Sequence, residues 1–227
     1  MFGSPGTVIS ATVPAGSVAG DLLLACLGIE NVAAGSGPWM TATNLGWQRA
    51  WFQGPVGGNG AGHEVWVSWY GSGTTMDFTV SPSSNWVFRG AGWINAAPAA
   101  TEQSVTGLNI RDLVRPLSQG QTGSNPSSPT LYSYVDELVV ALGSGTLTTP
   151  GWGTPAGWTT VFDNARAAAF GNVEIKLQYV DIVTEGNQVS NWTATASPAG
   201  ARSTTGICAI RPPDRRIPTR LVEPGMI

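Results

Sequence analysis

Histidine, carboxylates, cysteines and tryptophans are the groups through which this 227-residue chain could act on another molecule, and their spacing narrows the chemistry. The single histidine, His63, is followed directly by Glu64. Neighbours on a strand point to opposite faces, so this pair is not a base with its orienting carboxylate, and His63 reads as a surface residue. Glycoside cleavage needs two carboxylates facing each other across a groove, yet of the 14 acidic residues only Glu64 and Asp77 sit in the middle of aromatic-rich strands. The pair Asp136-Glu137 opens a strand and reads as ordinary strand-end solvation. The sequence lacks a GxSxG elbow, an HExxH, a CxxC, a P-loop and a dinucleotide fingerprint. No helix follows the glycine-rich stretch Gly54 to Gly62, so it reads as a loop between strands and not as a phosphate cradle. Cys26 and Cys208 lie far apart inside apolar runs and read as two buried, reduced thiols. The expectation is a chain without catalytic residues, cofactor or metal.

The aromatic residues point to contacts. Of ten tryptophans, Trp47 and Trp158 occupy matching Gly-Trp pairs and are expected in a core. Trp51, Trp66 and Trp69 have no aromatic counterpart later in the chain except near Tyr179, and form a candidate aromatic contact patch. Exposed rings of this kind stack on sugars as well as on protein, so a carbohydrate-binding module is the alternative to a subunit contact.

These residues are carried by strand-like segments bounded by Gly, Pro, Ser and Asn, with no convincing helical period, which predicts an all-β fold. Five blocks recur in order. GDLLLACLGI matches VDELVVALGS, LGWQRAWFQ matches AGWTTVFDN, HEVWVSWY matches VEIKLQYV, DFTVSPSS matches TATASPAG, and RGAGWI falls where TGICAI falls. With about five strands each, the halves are expected to build one β-sandwich spanning 1–210, from about 1–106 and 130–210, joined by a polar surface link over 107–129. Two separate small β domains is the other arrangement considered. VEIKLQYV alternates, with Glu174, Lys176 and Gln178 on the face read as wet. GDLLLACLGI is apolar on both faces, as is Leu138 to Leu142, so both strands are expected to be central in their sheets with the outer face covered by this chain or by another.

Composition limits the partners. Charged residues make up 11%, about half the usual share, which favours a protein packed against something. A net charge of −3 argues against binding nucleic acid through its phosphates. No apolar run is long enough for a membrane span. The start MFGSPGTVIS lacks the basic and apolar regions of an export signal, so synthesis in a cytoplasm is expected and Asn191-Trp192-Thr193 reads as a chance match to a glycosylation acceptor. Residues 211–227 form a Pro- and Arg-rich arm in which Arg211, Arg215, Arg216 and Arg220 outnumber Asp214 and Glu223. Proline lowers the entropy lost on docking and arginine supplies charge-assisted hydrogen bonds, so the arm is expected to lie on a neighbouring subunit.

The order GDLLLA, a GW pair, a WY or QY strand and a Ser-rich turn, repeated after NPSSP as DELVVALG, AGW and a strand running into AIRPP, resembles tailed-bacteriophage virion proteins. These are the jelly-roll minor tail or capsid-decoration proteins common in phages of actinobacteria, and the likeness covers roughly Ala19 to Pro213. The aromatic first half and the tail after Pro213 depart from that pattern. The resemblance implies a jelly-roll-like β-sandwich, made in the host cytoplasm and located in the virion. It also implies copies at symmetric positions, a homo-oligomer on major capsid or tail proteins, with a host-surface glycan as a further candidate ligand and no active site.

Overall fold

Val, Ile, Thr and aromatic residues dominate the segments between the glycines and prolines, and they suit a pleated surface buried on one or both faces. The computed structural model describes residues 2–3, 8–19, 21–33, 35–43, 46–56, 58, 60–80, 86–93, 114–122, 125–146, 151–168, 171–193 and 202–210. All regular structure among them is β. Strands β1 (Phe2–Gly3), β3 (Leu22–Val32), β5 (Gln48–Gln53), β6 (Gly60–Trp69) and β8 (Trp86–Trp93) form an antiparallel sheet in the order β1-β8-β3-β6-β5. A second sheet runs β9-β15-β11-β13-β12, from β9 (Val114–Thr122), β11 (Leu138–Gly145), β12 (Thr159–Ala168), β13 (Gly171–Asp181) and β15 (Arg202–Ile210). Four of the five matched blocks thus lie on strands at corresponding places in the two sheets, whereas DFTV lies in the outer sheet described next and most of TATASPAG lies outside the described residues. An outer sheet, β2-β7-β4, comes from β2 (Val8–Thr12), β4 (Met40–Ala42) and β7 (Thr75–Val80), and a ribbon pairs β10 (Leu131–Ser133) with β14 (Gly186–Gln188).

The layers follow from which faces are apolar. Leu22, Leu24, Cys26, Val65, Val67 and Trp51 of the first sheet meet Val140, Leu142, Ile175, Leu177, Cys208 and Ile210 of the second in a central core. The opposite face of β3, with Ala25, Leu27 and Ile29, is closed by Ile9, Met40, Met76, Phe78 and Val80 of the outer sheet. The opposite face of the second sheet, with Val139, Ala141, Ile207 and Ala209, is closed by Leu131, Trp152, Ile182 and Trp192. Both central strands are thus covered on both faces by this chain itself. Each half also builds an outer core of its own, which the count of five strands per half had not allowed for.

Across the central core, β3 meets β13 as β11 meets β6, β6 meets β15 as β13 meets β8, and β5 meets β15 as β12 meets β8. Exchanging the halves maps each of these contacts onto another of them, as a two-fold interface would, but β5 against β9 has no comparable counterpart between β12 and β1.

A local device recurs in β5 and β12. Gly46 and Gly157 take positive φ, 97° and 84°, ahead of Trp47 and Trp158. Three residues after each tryptophan the ladder slips, between Arg49 and Trp51 and between Thr160 and Phe162. One extra residue reverses the facing of everything after it. Trp47 and Trp158 therefore pack on the outer cores, whereas Trp51 and Phe162 enter the central one.

Two readings are corrected. Within the 107–129 segment read as a surface link, Val114–Thr122 is an edge strand paired along its length with β15. Its Pro116 and Gly120 would weaken a central strand but are tolerated at an edge. The face of β13 read as wet is buried: Glu174, Lys176 and Gln178 are each at most 3% exposed. Their polarity is met by hydrogen bonds to covering loops, not by water. Deleting Ala50 would remove the slip in β5 and turn Trp51 out of the central core; a loss of about 2 kcal/mol or more in urea unfolding is the expected result.

Candidate functional site

Strand alternation sends His63 and Glu64 to different layers, and both are fully buried. His63 faces the central core, where its Nε2 accepts a hydrogen bond from Trp51 Nε1 at 3.0 Å. That leaves the ring proton on Nδ1, which donates to Thr204 Oγ1 of β15 at 2.8 Å. Burial disfavours the imidazolium and lowers the pKa to about 3. His63 is therefore not a surface residue but a neutral link between the halves. The sheets close over it because Gly206 has no side chain: a Cβ there would lie 2.4 Å from Trp51 Nε1 and 3.0 Å from His63 Nε2. Cys26 and Cys208 are free and buried in the same core, and burial pushes the Cys208 thiol up to about 12.

Glu64 points the other way and anchors a loop. Its Oε2 accepts the backbone N–H groups of Trp39 and Met40 at 2.7 and 2.8 Å, and its Oε1 accepts Trp66 Nε1 at 2.8 Å. The Trp39 ring lies where a Cβ on Gly62 would be. The second half repeats the device. Glu174 Oε1 accepts the N–H groups of Gly151 and Trp152 at 3.1 and 3.3 Å, and the Trp152 ring lies over Gly143 and Gly145. Desolvation raises the pKa of both glutamates.

Beside Trp152 two further ionisable groups, Asp163 and Lys176, join Glu174. Asp163 of β12 and Lys176 of β13 are direct cross-strand partners. Lys176 Nζ lies 3.1 Å from Asp163 Oδ2 and also donates to the Trp152 carbonyl. Glu174, two residues before Lys176 on the same face, hydrogen-bonds Asp163 through its side chain. Glu174 Oε2 and Asp163 Oδ1 are both buried and receive no hydrogen bond from any other group. Desolvation, reinforced by Asp163, holds Glu174 up to about 8. Sequence reading passed over Asp163 and assigned Glu174 and Lys176 to water; the available signal was a Glu-x-Lys pair on a strand flanked by two others.

The predicted contact patch does not form. Trp51 is buried in the central core, Trp69 packs against that core, and Trp66 lies on the opposite face of β6 against Phe78, ring centroids 5.8 Å apart. Asp77 accepts from Ser10 and Thr75 on the outer sheet and does not face Glu64. Arg211, Arg215, Arg216 and Arg220 lie outside the described residues. Exposed aromatics occur elsewhere: Tyr132 and Tyr134 stand edge to face, centroids 5.4 Å apart. Arg115 sits 5.2 Å from the Tyr134 ring, held by Glu137 Oε2 at 2.6 Å and by the Tyr132 carbonyl. Leu117 and Val183 are also exposed. Among the described residues no three His, Cys, Asp or Glu side chains are grouped to hold a metal ion, and no helix is long and apolar enough to cross a membrane.

Comparison with protein-family models, with curated proteins and with solved structures finds no match to this chain.

Two outcomes test the seam. His63 has its pKa lowered on folding, so between about 6.5 and about 3 the unfolded chain takes up a proton that the native chain refuses. Stability is expected to fall as pH falls through that window, and His63→Gln is expected to flatten this limb of the thermal-unfolding profile. Gly206→Ala is expected to cost about 2 kcal/mol or more in denaturant unfolding, because Trp51 and His63 would have to move together.

Proposed function

We propose that this chain is a non-enzymatic structural component of a bacteriophage virion, a minor tail or capsid-decoration protein that assembles through subunit contacts. The winding of the first half supports the architectural part of this reading. β1 pairs with β8, β2 with β7 and β3 with β6, as when one long hairpin is rolled up, which is the plan of a jelly roll. Fold alone does not give function. The observation that carries the assembly reading is the exposed pair Tyr132 and Tyr134, each more than 40% exposed and braced by Arg115, in a chain with few charges. Rings fixed by Arg115 present contact area at small entropic cost, the property that enriches tyrosine and arginine in interfaces.

In this reading the surface meets another virion protein or a second copy, and the arm at 211–227 adds a second attachment. The Tyr132→Ser/Tyr134→Ser variant is expected to keep the wild-type unfolding midpoint, since both rings are exposed, and to lose most of its incorporation into particles when supplied in trans. Deleting 214–227 is expected to have the same effect. Wild-type incorporation of both variants would overturn the proposal. Binding of host cell-wall polysaccharide by the intact protein, lost in the tyrosine variant, would favour the carbohydrate-binding alternative.

A further inference from the structure

The cluster beside Trp152 holds an amine paired with a carboxyl, and a second carboxyl that hydrogen-bonds the first, inside a covered layer. We propose that Lys176 and Asp163 become joined by an intramolecular isopeptide bond, formed autocatalytically with Glu174 as the proton relay.

The argument is geometric. Lys176 and Asp163 are paired across adjacent strands, Nζ stands 3.1 Å from Oδ2, and the two side chains are only 4% and 22% exposed. Cross-strand partners have Cβ atoms about 5 Å apart, a span that a lysine and an aspartate bridge without moving the backbone. Holding the reacting atoms at contact in a site that excludes bulk water replaces a bimolecular encounter with an intramolecular one. An ammonium paired with a carboxylate in such surroundings is costly to desolvate, and converting the pair to a neutral amide removes both charges.

The steps balance without an added reagent. A proton passes from Lys176 Nζ to Asp163 Oδ2 along their hydrogen bond, leaving a neutral amine and a carboxylic acid. The Trp152 carbonyl holds a remaining N–H of that amine, and the nitrogen turns its freed lone pair from Oδ2 to the adjacent Asp163 Cγ. The lone pair forms the N–C bond while Glu174 gives its proton to Oδ1 through the side-chain hydrogen bond that joins the two carboxyls. Glu174, now a carboxylate, takes a proton from the attacking nitrogen and delivers it to Oδ2, which leaves as water. Oδ1 returns its proton to Glu174 as the carbonyl re-forms. The net change is ammonium plus carboxylate to amide plus water. The partial exposure of Asp163 gives the water an exit, and Glu174 keeps its hold on Gly151 and Trp152 throughout through Oε1.

The first half makes the contrast. Counted from the slip in each strand, Phe52 and Glu64 stand where Asp163 and Lys176 stand, and Gly62 stands at the place of Glu174. That half has no amine there to react.

The test is the intact mass of the purified full-length chain, followed by tryptic peptide mapping. The expected mass is one water below that of the sequence, with a branched peptide joining the segments around residues 163 and 176 and no cleavage after Lys176. Lys176→Met is expected to restore the full mass. Asp163→Asn is expected to close with loss of ammonia in place of water. Glu174→Gln retains the acceptor for Gly151 and Trp152 and supplies an N–H to Asp163, so it should fold, and is expected to form the bond about a hundredfold more slowly. A wild-type chain that keeps its full sequence mass after prolonged incubation overturns the bond. Closure of the Glu174→Gln variant at the wild-type rate overturns the relay.

Discussion

A strand that is apolar on both faces must be covered twice, and the architecture of this protein follows from satisfying that condition in two places. β3 and β11 lie in the middle of their sheets, and each sends alternate side chains to a shared central core and to an outer core of its own half. Full burial of a Leu or Ile side chain is worth about 1.5–3 kcal/mol. Stripping either cover would expose several such side chains at once, so neither half can dispense with its outer layer or its partner sheet. A four-layer stack results, with two large sheets inside.

The central core has a second requirement, close approach. Gly206 admits Trp51 and His63, and a Cβ on Gly28 would come within 3.1–3.4 Å of Ser144, Ile175 and Val173 of the other half. Glycines at such points weaken the strands that carry them but let opposing side chains enter the gap. The buried imidazole then serves as an oriented link, since both its nitrogens are bonded within one layer and no charge is placed there. Neighbouring sheets in a purely apolar core could slide; a hydrogen-bonded triplet of Trp51, His63 and Thr204 fixes one register.

Part of this was legible in the residues. Doubled apolarity marked β3 and β11 as central, and the matching Gly-Trp pairs marked Trp47 and Trp158 as core residues, whereas the positive-φ glycine ahead of each ring is seen only in the structure. The slips three residues later were not legible: one added residue reverses the facing of Trp51 and Phe162 but leaves no local sign. Nor does a period of two separate a face bathed in water from one bonded to a covering loop, which is why Glu174, Lys176 and Gln178 read as solvated. His63 was misplaced for a related reason, since alternation says that it opposes Glu64 but not that both sides are buried. Strands of three residues such as β4, β10 and β14 have no period at all, and β9 was hidden by Pro116 and Gly120.

The pairing that follows the slip shows how one framework can carry different chemistry in its two halves. Backbone geometry there is set by the glycine turn, the extra residue and the ladder to the next strand, none of which depends on the side chains at the first positions beyond it. In the first half those positions hold Phe52 and Glu64, and the glutamate binds the Trp39 loop with Arg49 at 3.9 Å from its other oxygen. In the second half they hold Asp163 and Lys176, and the loop-binding role has moved two residues back along the strand to Glu174. A step of two preserves the face, so the carboxylate still meets a tryptophan loop. What the move adds is room on that face for a lysine and an aspartate at contact distance, next to a carboxyl already held by the backbone. The seam demands near-equivalence of the two sheets, whereas the outer layers are free to differ. Any chemistry that distinguishes the halves is therefore to be sought in the outer layers.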